Sequence, residues 1–279
     1  MINILMAGNK KVFDGILIGA LSITKNCEQP INLYVLTMDL SDMDESYAPI
    51  TIEQVQIIDA VLKTTNIKSK AIRIDATQEY IKEMKNSPNN FDSYTPYAFL
   101  RLFADRLDCL PSKILYLDTD VVAVKDINEL YNIDVSNYEF AAALDYYGRW
   151  FYNPQYINSG VMLLNLDNIR KSGLFKRTLK VCSRRKIFLA DQTALNKYSK
   201  NKLIIDRKFN EQKKIKEDTV IRHFSKTIKF FPYFHTQNIK PWQVEKVKNV
   251  LKIHEIDDIL QDYQDMIASI KTDDYDEII

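Results

Sequence analysis

The sequence predicts an α/β protein built around a parallel sheet with helices on both faces. Two observations carry this prediction. Apolar, β-favouring runs alternate with segments of helical apolar spacing through the first part of the chain, and 46% of the 279 residues are hydrophobic, an ordinary value for a soluble protein. Alternating strands and helices favour βαβ units, and ligands of such sheets bind beyond the carboxyl ends of the strands. A chain of this length can bury a large core.

The predicted elements follow one another in a regular order. Strands are expected at residues 2–7, 31–36, 71–74 and 114–117, and helices at residues 16–23, 52–62 and 78–85. Thr51, with Glu53 and Gln54 in the first turn, is a start signal for the second helix. Apolar runs at 140–144 and 161–164 continue the sheet in a more mixed pattern. We expect one domain over residues 1–242, followed by a C-terminal helical extension and acidic tail over 243–279.

Composition excludes several classes of protein. A formal net charge of +1 argues against a nucleic-acid partner. Few, widely spaced cysteines indicate reduced thiols in a reducing compartment, and no run is long enough for an integral membrane segment. We therefore expect a cytoplasmic protein, with peripheral attachment at the inner membrane face left open. Gly8, Gly15 and Gly19 do not form a dinucleotide-binding fingerprint or a P-loop; close helix–sheet packing explains the last two.

The most informative segment is the apolar run that ends in Asp118 and Asp120. In an extended segment side chains alternate between faces, so these two aspartates are expected on the same side. Two neighbouring carboxylates repel each other unless a cation lies between them. Carboxylate oxygens suit Mg²⁺ or Mn²⁺, whose sites often stay open to substrate phosphates. The segment predicts metal-assisted binding of a phosphorylated substrate, with polar residues at a strand end as the alternative.

Arg101 and Asp145 are further candidates, each with a structural alternative. Arg101 stands inside an apolar helical stretch, where a guanidinium needs an anionic partner, and its planar fork suits phosphate or carboxylate. Asp105, at i,i+4 helical spacing, is the partner that requires no substrate. Asp145 ends an apolar run, either as a strand-end site residue or as a turn former.

Three more segments place polar side chains beside predicted elements. Asn158, Ser159 and Gly160 directly precede a predicted strand, where small residues permit close approach of a ligand or simply form a turn. Asp191 lies at a predicted helix start and is either a site residue or an N-cap. His223 lies in a strand-like run as either a packed core histidine or a third metal ligand, since Mn²⁺ accepts imidazole beside carboxylates.

The order of these segments resembles the retaining glycosyltransferases of family 8, which include bacterial lipopolysaccharide galactosyl- and glucosyltransferases and the glycogenins. The resemblance spans residues 2–242. The matching pieces are the first strand with Ala7, the 97–102 helix, the 115–120 segment, Asp145, the 158–161 segment, Asp191-Gln192 and the 223–225 segment. The ordered set is far more specific than any one of its members.

The resemblance implies the family's GT-A fold, a single-domain, Rossmann-like architecture of nucleotide-diphospho-sugar transferases with a mixed central sheet and C-terminal helices. It implies a UDP-glucose or UDP-galactose donor, and Mn²⁺ or Mg²⁺ held by Asp118, Asp120 and His223. The implied donor-binding residues are Ala7, Asn9, Lys11, Arg101, Asp118, Thr119, Asp145, Asn158, Asp191, Gln192 and Lys229. Asp191 and Gln192 are the implied catalytic residues, with Gln192 near the anomeric carbon.

Two departures from the family pattern affect these assignments. A glycine, an asparagine and two lysines follow the first strand, where members often carry acidic residues and an asparagine. The family's Lys-Pro-Trp usually follows the metal histidine closely, but here Lys229 stands at that spacing and a Lys-Pro-Trp begins at Lys240. The lysine that meets the diphosphate is therefore open between these two. The aromatic segment 223–242 is either a lid over the diphosphate or a static patch under the C-terminal helices.

The resulting prediction is a metal-dependent hexosyltransferase that retains the anomeric configuration. The acceptor would be a carbohydrate hydroxyl, of lipopolysaccharide or of a cell-wall or surface glycan. Retention requires front-face attack, which we favour, or two inversions, for which Asp191 is the only nearby carboxylate. Two alternatives stay open: a nucleotide-sugar-binding module without transfer activity, and a self-glycosylating, glycogenin-like protein, for which none of the 16 tyrosines is marked as acceptor.

Overall fold

A computed structural model of the chain describes residues 1–90, 95–187, 189–229, 233 and 235–272. Its strands are β1 (Ile2–Ala7), β2 (Ile31–Thr37), β3 (Lys70–Asp75), β4 (Lys113–Leu117), β5 (Val121–Ala123), β6 (Phe140–Leu144), β7 (Ile157–Asn165), β8 (Lys202–Ile205), β9 (Ile221–His223), β10 (Thr227–Lys229) and β11 (His235–Gln237). The strands predicted from the apolar runs are confirmed, with ends shifted by up to four residues.

The helices cover both faces of the sheet. They are α1 (Phe13–Asn26), α2 (Ile52–Thr65), α3 (Thr77–Met84), α4 (Asn128–Tyr131), α5 (Gly148–Phe151), α6 (Leu166–Ser172), α7 (Leu174–Cys182), α8 (Ala190–Tyr198), α9 (Val244–Lys246) and α10 (Asp257–Thr272). Tighter turns form 3-10 helices at Lys10–Val12, Pro96–Arg106 and Arg207–Asn210, and Val247–Leu251 is a π-helix. Thr51 caps α2 as predicted, in a reciprocal capping box with Gln54.

The central sheet is mixed rather than fully parallel. Its seven strands lie in the order β3-β2-β1-β4-β7-β6-β8. The four strands from β3 to β4 are parallel, whereas β7 runs antiparallel to both β4 and β6. The mixed sheet implied by the family resemblance is confirmed, and the fully parallel sheet suggested by βαβ alternation is wrong at β7. The alternation of strands and helices predicts parallel pairing only for strands that a helix connects, as in the first half of the chain.

Alternate residues of the sheet enter two separate hydrophobic cores. In β1, Ile4 and Met6 belong to the core under α1 and α2, whereas Leu5 faces the core under the Pro96–Arg106 helix. In β4, Leu117 belongs to the first core and Tyr116 to the second. Because both faces of the sheet are covered, inner strands such as β2, β4 and β6 are almost continuously buried and mostly apolar, as in other sheets buried on both sides, whereas the edge strand β3 carries charged residues.

The C-terminal helices are part of the first core. Ile256, Ile259, Leu260 and Tyr263 are at most 8% exposed and pack in the same cluster as the apolar residues of α1. The packing therefore does not break at residue 242. The division into a domain and an extension there stays a prediction about chain organisation. Among the helices of the described residues, none combines the length and the apolar character needed to cross a bilayer.

Candidate active site

The two aspartates lie in the turn between β4 and β5 rather than in an extended strand. The backbone of this turn is held on both sides: Asp118 N donates to Gly160 O at 2.7 Å, and Phe224 N donates to Asp120 O at 2.8 Å. Antiparallel pairing of β5 with β9 sets Val121 opposite His223. Backbone pairing therefore brings a histidine that lies about a hundred residues away in sequence next to the aspartate pair.

Asp118, Asp120 and His223 form a cluster whose ligand atoms all lie within 4.8 Å of one another. His223 Nε2 is 3.2 Å from Asp120 Oδ1 and 3.8 Å from Asp118 Oδ2. Adjacent ligands around a small octahedral ion stand about 3 Å apart, so this donor set fits Mn²⁺ or Mg²⁺. Gly160 makes the close approach possible, because a Cβ there would lie 2.2 Å from His223 Cε1 and 2.8 Å from Asp118 Oδ2.

The electrostatics around Asp120 favour its ionised form. Burial alone would raise the pKa of the Asp120 carboxyl, but His223 when it is protonated, and Lys240, hold that pKa well below its ordinary range. Lys240 Nζ donates to Asp120 Oδ2 and, at 3.3 Å, to Phe224 O. Asp120 is therefore a charged, mostly buried carboxylate with one oxygen toward the imidazole and the other toward an ammonium group.

Arg101 binds carboxylates of the site and not Asp105. Its Nη2 donates to Asp118 Oδ1 at 2.9 Å, and its Nε lies 3.4 Å from Asp191 Oδ2. The guanidinium stacks 4.3 Å from the ring of Tyr116, whose hydroxyl also donates to Asp118 Oδ1 at 2.7 Å. Burial would lower the pKa of Arg101, but the neighbouring carboxylates raise it above its usual value. Arg101 thus orients Asp118 and is only 5% exposed.

Asp145, Asn158 and Gln192 meet in one polar network at the ends of β6, β7 and the start of α8. Asp145 Oδ2 accepts from Asn158 Nδ2 at 2.9 Å and from Gln192 Nε2 at 3.4 Å. Gln192 Oε1 accepts from Ser159 N at 3.1 Å. Asp145 Oδ1 accepts from Tyr147 N at 3.0 Å and from Gly148 N at 2.7 Å, in the turn that leads into α5. Asp145 therefore serves both as the turn former and as part of the polar network, the two interpretations that the sequence left open.

Two sequence expectations about these segments need correction. The Asn158-Ser159-Gly160 trio lies inside β7 rather than before it, because pairing with β6, in which Leu144 lies opposite Ile157, extends that strand back to Ile157. The N-cap of α8 is Leu189, at φ 49°, and Asp191 lies in the first turn. Asp191 is 8% exposed, and burial raises the pKa of its carboxyl despite Arg101 nearby.

The end of β1 lies beside the aspartate turn. Met6 pairs with Leu117 in the parallel register, so Ala7 enters the site next to Asp118. Asn9 Nδ2 donates to Ser46 O at 3.1 Å, which joins this end of β1 to the loop after β2. A Cβ at Gly8 would come within 3.6 Å of the methyl group of Thr119. Lys11 is exposed in the following turn.

The two candidate lysines lie in different places. Lys229 is exposed at the end of β10, where it pairs with His235 of β11. Lys240 contacts Asp120 directly, and the nearby Trp242 ring would lie 2.6 Å from a Cβ at Gly15 of α1. Of the aromatic residues predicted to close over the site, those at 230, 231 and 234 lie outside the described residues.

Sequence reasoning missed Tyr116 and Asn210. Tyr116 is an inward-facing strand residue two positions before Asp118, and alternation could have shown that both lie on one face. Asn210 ends the Arg207–Asn210 turn, is 0% exposed and lies 3.0 Å from His223 Nδ1. Nothing in the local sequence distinguishes it from asparagines that form turns.

Similarity to known proteins identifies the family of the chain. The family model described as glycosyl transferase family 8 matches residues 3–246, nearly the whole chain. The chain belongs to glycosyltransferase family 8. This family 8 protein is similar to a putative glycosyltransferase of Haemophilus influenzae, with 23% identity over 75% of this chain and 62% of that protein. It is also 28% identical to the lipopolysaccharide 1,2-glucosyltransferase of Escherichia coli over 55% of this chain and 56% of that protein.

Some relatives are longer than this chain, and the match spans about a quarter of the length of the relative named next. Glycosyltransferase GlyA of Streptococcus pneumoniae is 27% identical over 52% of this chain, but the match covers only 24% of GlyA. Among solved structures, galactosyltransferase LgtC in complex with donor and acceptor sugar analogues superposes with a TM-score of 0.69 at 17% identity, over 94% of this chain and 96% of that one. GlyE of Streptococcus pneumoniae gives 0.62 at 16% identity, over 94% and 63%. These likenesses establish the GT-A fold.

Proposed function

We propose that this protein is a metal-dependent, retaining hexosyltransferase that moves glucose or galactose from a UDP-sugar to a hydroxyl group of a glycan. The observation that carries the proposal is the convergence of Asp118, Asp120 and His223 within 4.8 Å at the carboxyl end of β4. The polar network of Asp145, Asn158 and Gln192 continues from this cluster and offers hydrogen bonds to a hexose. The lipopolysaccharide glucosyltransferase relative and the sugar analogues bound to LgtC support a sugar donor and a glycan acceptor.

The residues of the site fall into two groups, one proposed to bind the nucleotide diphosphate and the other proposed to bind the hexose. A divalent ion held by the cluster would neutralise charge on the departing diphosphate. Lys240 places a second positive charge beside Asp120, and we therefore assign it, rather than the exposed Lys229, to the leaving group. Ala7, Asn9 and Lys11 at the end of β1, with Thr119 beside them, are the proposed nucleotide side of the site.

We propose front-face attack, in which the acceptor hydroxyl approaches from the side of the leaving group and gives its proton to the departing diphosphate. Gln192 is a poor nucleophile, and its amide is already held by Ser159 and Asp145. Asp191 is tied to Arg101 and is mostly buried, which suits electrostatic stabilisation of positive charge at the anomeric carbon. Both residues are thus proposed to orient and stabilise the hexose during transfer.

The direct test is release of free UDP from UDP-glucose and from UDP-galactose, with Mn²⁺ and with a chelator. We expect Mn²⁺-dependent release, and we expect Asp118→Ala and Asp120→Ala to fall to the metal-free rate of the wild type. Asp134→Asn is the matched control, because Asp134 is an exposed loop carboxylate outside the cluster. Wild-type release by Asp118→Ala at saturating Mn²⁺ would contradict the metal assignment.

The same samples separate the alternatives. Calorimetric binding of a UDP-sugar without any UDP release, with or without glycan acceptors, would indicate a binding module. An intact-mass increase in steps of one hexose would instead indicate self-glycosylation.

A further inference from the structure

A chain of buried side-chain hydrogen bonds joins Asp145 to His223. Asn158 Nδ2 donates to Asp145 Oδ2 at 2.9 Å, and Asn210 Nδ2 donates to Asn158 Oδ1 at 3.0 Å. Asn210 Oδ1 in turn lies 3.0 Å from His223 Nδ1. Asn158, Asn210 and His223 are 6%, 0% and 3% exposed, so each polar atom depends on its neighbour rather than on bulk water.

Asp145, at one end of this series of hydrogen bonds, determines which atom donates and which accepts in each of them. The Asp145 carboxylate accepts hydrogen bonds, so Asn158 must turn its NH₂ group toward it. The backbone N–H of Gly160 donates to Asn158 Oδ1 at 3.0 Å and fixes the same orientation independently. Asn158 Oδ1 therefore faces the NH₂ group of Asn210. The remaining atom of Asn210, its carbonyl oxygen, is the one that faces the imidazole, and an oxygen there accepts only from a protonated Nδ1.

We propose that Asn210 is a positioning residue that keeps the proton of His223 on Nδ1 and so reserves Nε2 for the metal. Nε2 is the ring atom that faces Asp118 and Asp120. Without an acceptor at Nδ1, the neutral ring is free to place its proton on Nε2 and donate it to Asp120 Oδ1, 3.2 Å away. That proton would occupy the direction needed by the metal. Outer partners of metal-binding histidines fix tautomer and ring orientation in this way.

The backbone holds Asn210 in place. Its neighbour Glu211 donates its N–H to Ile221 O at 2.9 Å, and His223 N donates to Glu211 O at 2.9 Å. These two bonds align the end of the Arg207–Asn210 turn with β9, so the backbone holds Asn210 beside His223. The path of the backbone therefore places Asn210 beside His223, and the contact between them needs no long, flexible side chain.

The first test is the imidazole ¹⁵N–¹H spectrum of the metal-free protein, recorded where the spectrum shows a neutral ring. The chain has three histidines, so the signals are few and a His223→Gln spectrum assigns them. We expect His223 in the Nδ1–H form. An Nε2–H form in the wild type would overturn the inference. This measurement uses neither metal nor donor, so its result is separate from the proposed function on which the inference rests.

The second test compares three variants by the same spectrum and by electron paramagnetic resonance of unbound Mn²⁺. Asn210→Leu, of similar size but without an acceptor, should lose the Nδ1–H signature and bind Mn²⁺ about 10- to 100-fold more weakly. Asn210→Asp loses the donor to Asn158 Oδ1 but keeps an acceptor for Nδ1–H, and should keep the signature and most of the affinity. The control Asn90→Leu removes an equally buried asparagine that bonds Tyr80, Met84 and Lys85, and should change neither.

The outcomes separate a positioning role from packing. Loss of affinity in Asn210→Leu together with retention in Asn210→Asp supports the inference. Equal loss in both variants, or wild-type affinity in a folded Asn210→Leu, overturns it. Failure of the wild type to bind Mn²⁺ would refute the metal in the proposed function, whatever the tautomer.

Discussion

Each carboxylate of the candidate metal cluster has its own cation, whereas Asp191 shares one. Arg101 Nη2 bonds Asp118 at 2.9 Å, and Lys240 bonds Asp120. Asp191 reaches only the Nε of Arg101, at 3.4 Å, and its Oδ2 accepts no hydrogen bond from the described residues. Burial accordingly raises the pKa of Asp191, while the pKa of Asp120 is held low. Two buried aspartates of one site thus differ because their partners differ.

The raised pKa of Asp191 predicts a stabilising substitution. A raised pKa means that the folded state favours the protonated form of Asp191. The contribution of this protonated form to the free energy of unfolding is fully present below the pKa of the unfolded state, and it is lost as the pH rises through the higher pKa of the folded state. We expect Asp191→Asn to increase the free energy of unfolding at pH 7 relative to wild type, and this gain to shrink as the pH falls toward 3.8, the ordinary value. Urea unfolding at a series of pH values measures it. In Asp134→Asn, where hydrogen bonds from Ser136 lower the pKa of the carboxyl, no such gain is expected.

Substitutions on the proposed hexose side of the site should affect turnover more than nucleotide affinity. Asp191→Asn and Gln192→Ala are expected to lower kcat while leaving UDP binding nearly unchanged, because contacts made mainly in the transition state appear in kcat. Steady-state UDP release gives kcat, and calorimetric titration gives the UDP affinity. Abolished UDP binding in either variant would move that residue to the nucleotide side of the site.

At the scale of elements, helix α1 supports the aspartate turn through a contact that has no room for a side chain. A Cβ at Gly15 would lie 2.1 Å from the backbone oxygen of Thr119, between the two aspartates, and 2.6 Å from the Trp242 ring. One helical turn later, a Cβ at Gly19 would meet the flexible end of Met6 at 3.1 Å. The close packing expected from the glycine spacing is therefore present at both positions, but only Gly15 lies against the site.

This difference predicts that two similar substitutions have different effects. Alanine is favoured over glycine inside a helix by about 0.5–1 kcal/mol. Gly19→Ala should therefore stay within about 1 kcal/mol of wild type, because the Met6 side chain can move aside. Gly15→Ala should cost about 1–3 kcal/mol through overpacking and should weaken Mn²⁺ binding. Thermal unfolding and Mn²⁺ titration test this, and equal behaviour of the two variants would contradict it.

At the scale of the whole molecule, the C-terminal helix closes the first hydrophobic core. Leu260 and Ile256 are 0% exposed, and Tyr263 is 8% exposed, all in the cluster that includes α1. The helix therefore shares with α1 the core that covers this face of the central sheet. A peripheral extension would leave such residues partly exposed.

Burial of α10 predicts a large cost for truncating one of its core side chains. Leu260→Ala should lower the free energy of unfolding by about 2–5 kcal/mol, because it removes buried methyl groups and leaves a cavity. Gln264→Ala, on the exposed side of the same helix, should stay within about 0.5 kcal/mol. Urea unfolding of both variants measures the difference. A small cost for Leu260→Ala would mean that residues after 243 form a separate extension.

Much of the framework could be predicted because it depends on local pattern. The buried runs of β1, β2 and β4, the capped start of α2 and the strand-end position of Asp118 all follow from apolar spacing and nearby capping residues. The ordered motifs also pointed to family 8, which the family model bears out over residues 3–246. These features are encoded within a few residues of where they act.

Contacts between distant segments were decided only by the tertiary structure. Pairing of β5 with β9 brings His223 to the aspartates, and antiparallel β7 places Gly160 against His223 and Asp118. No local sequence signal indicates that Lys240 rather than Lys229 lies beside Asp120, or that Asn210 contacts His223. The physical reason is that strand register and close packing depend on which surfaces meet in three dimensions, and neighbouring residues in the chain do not specify this.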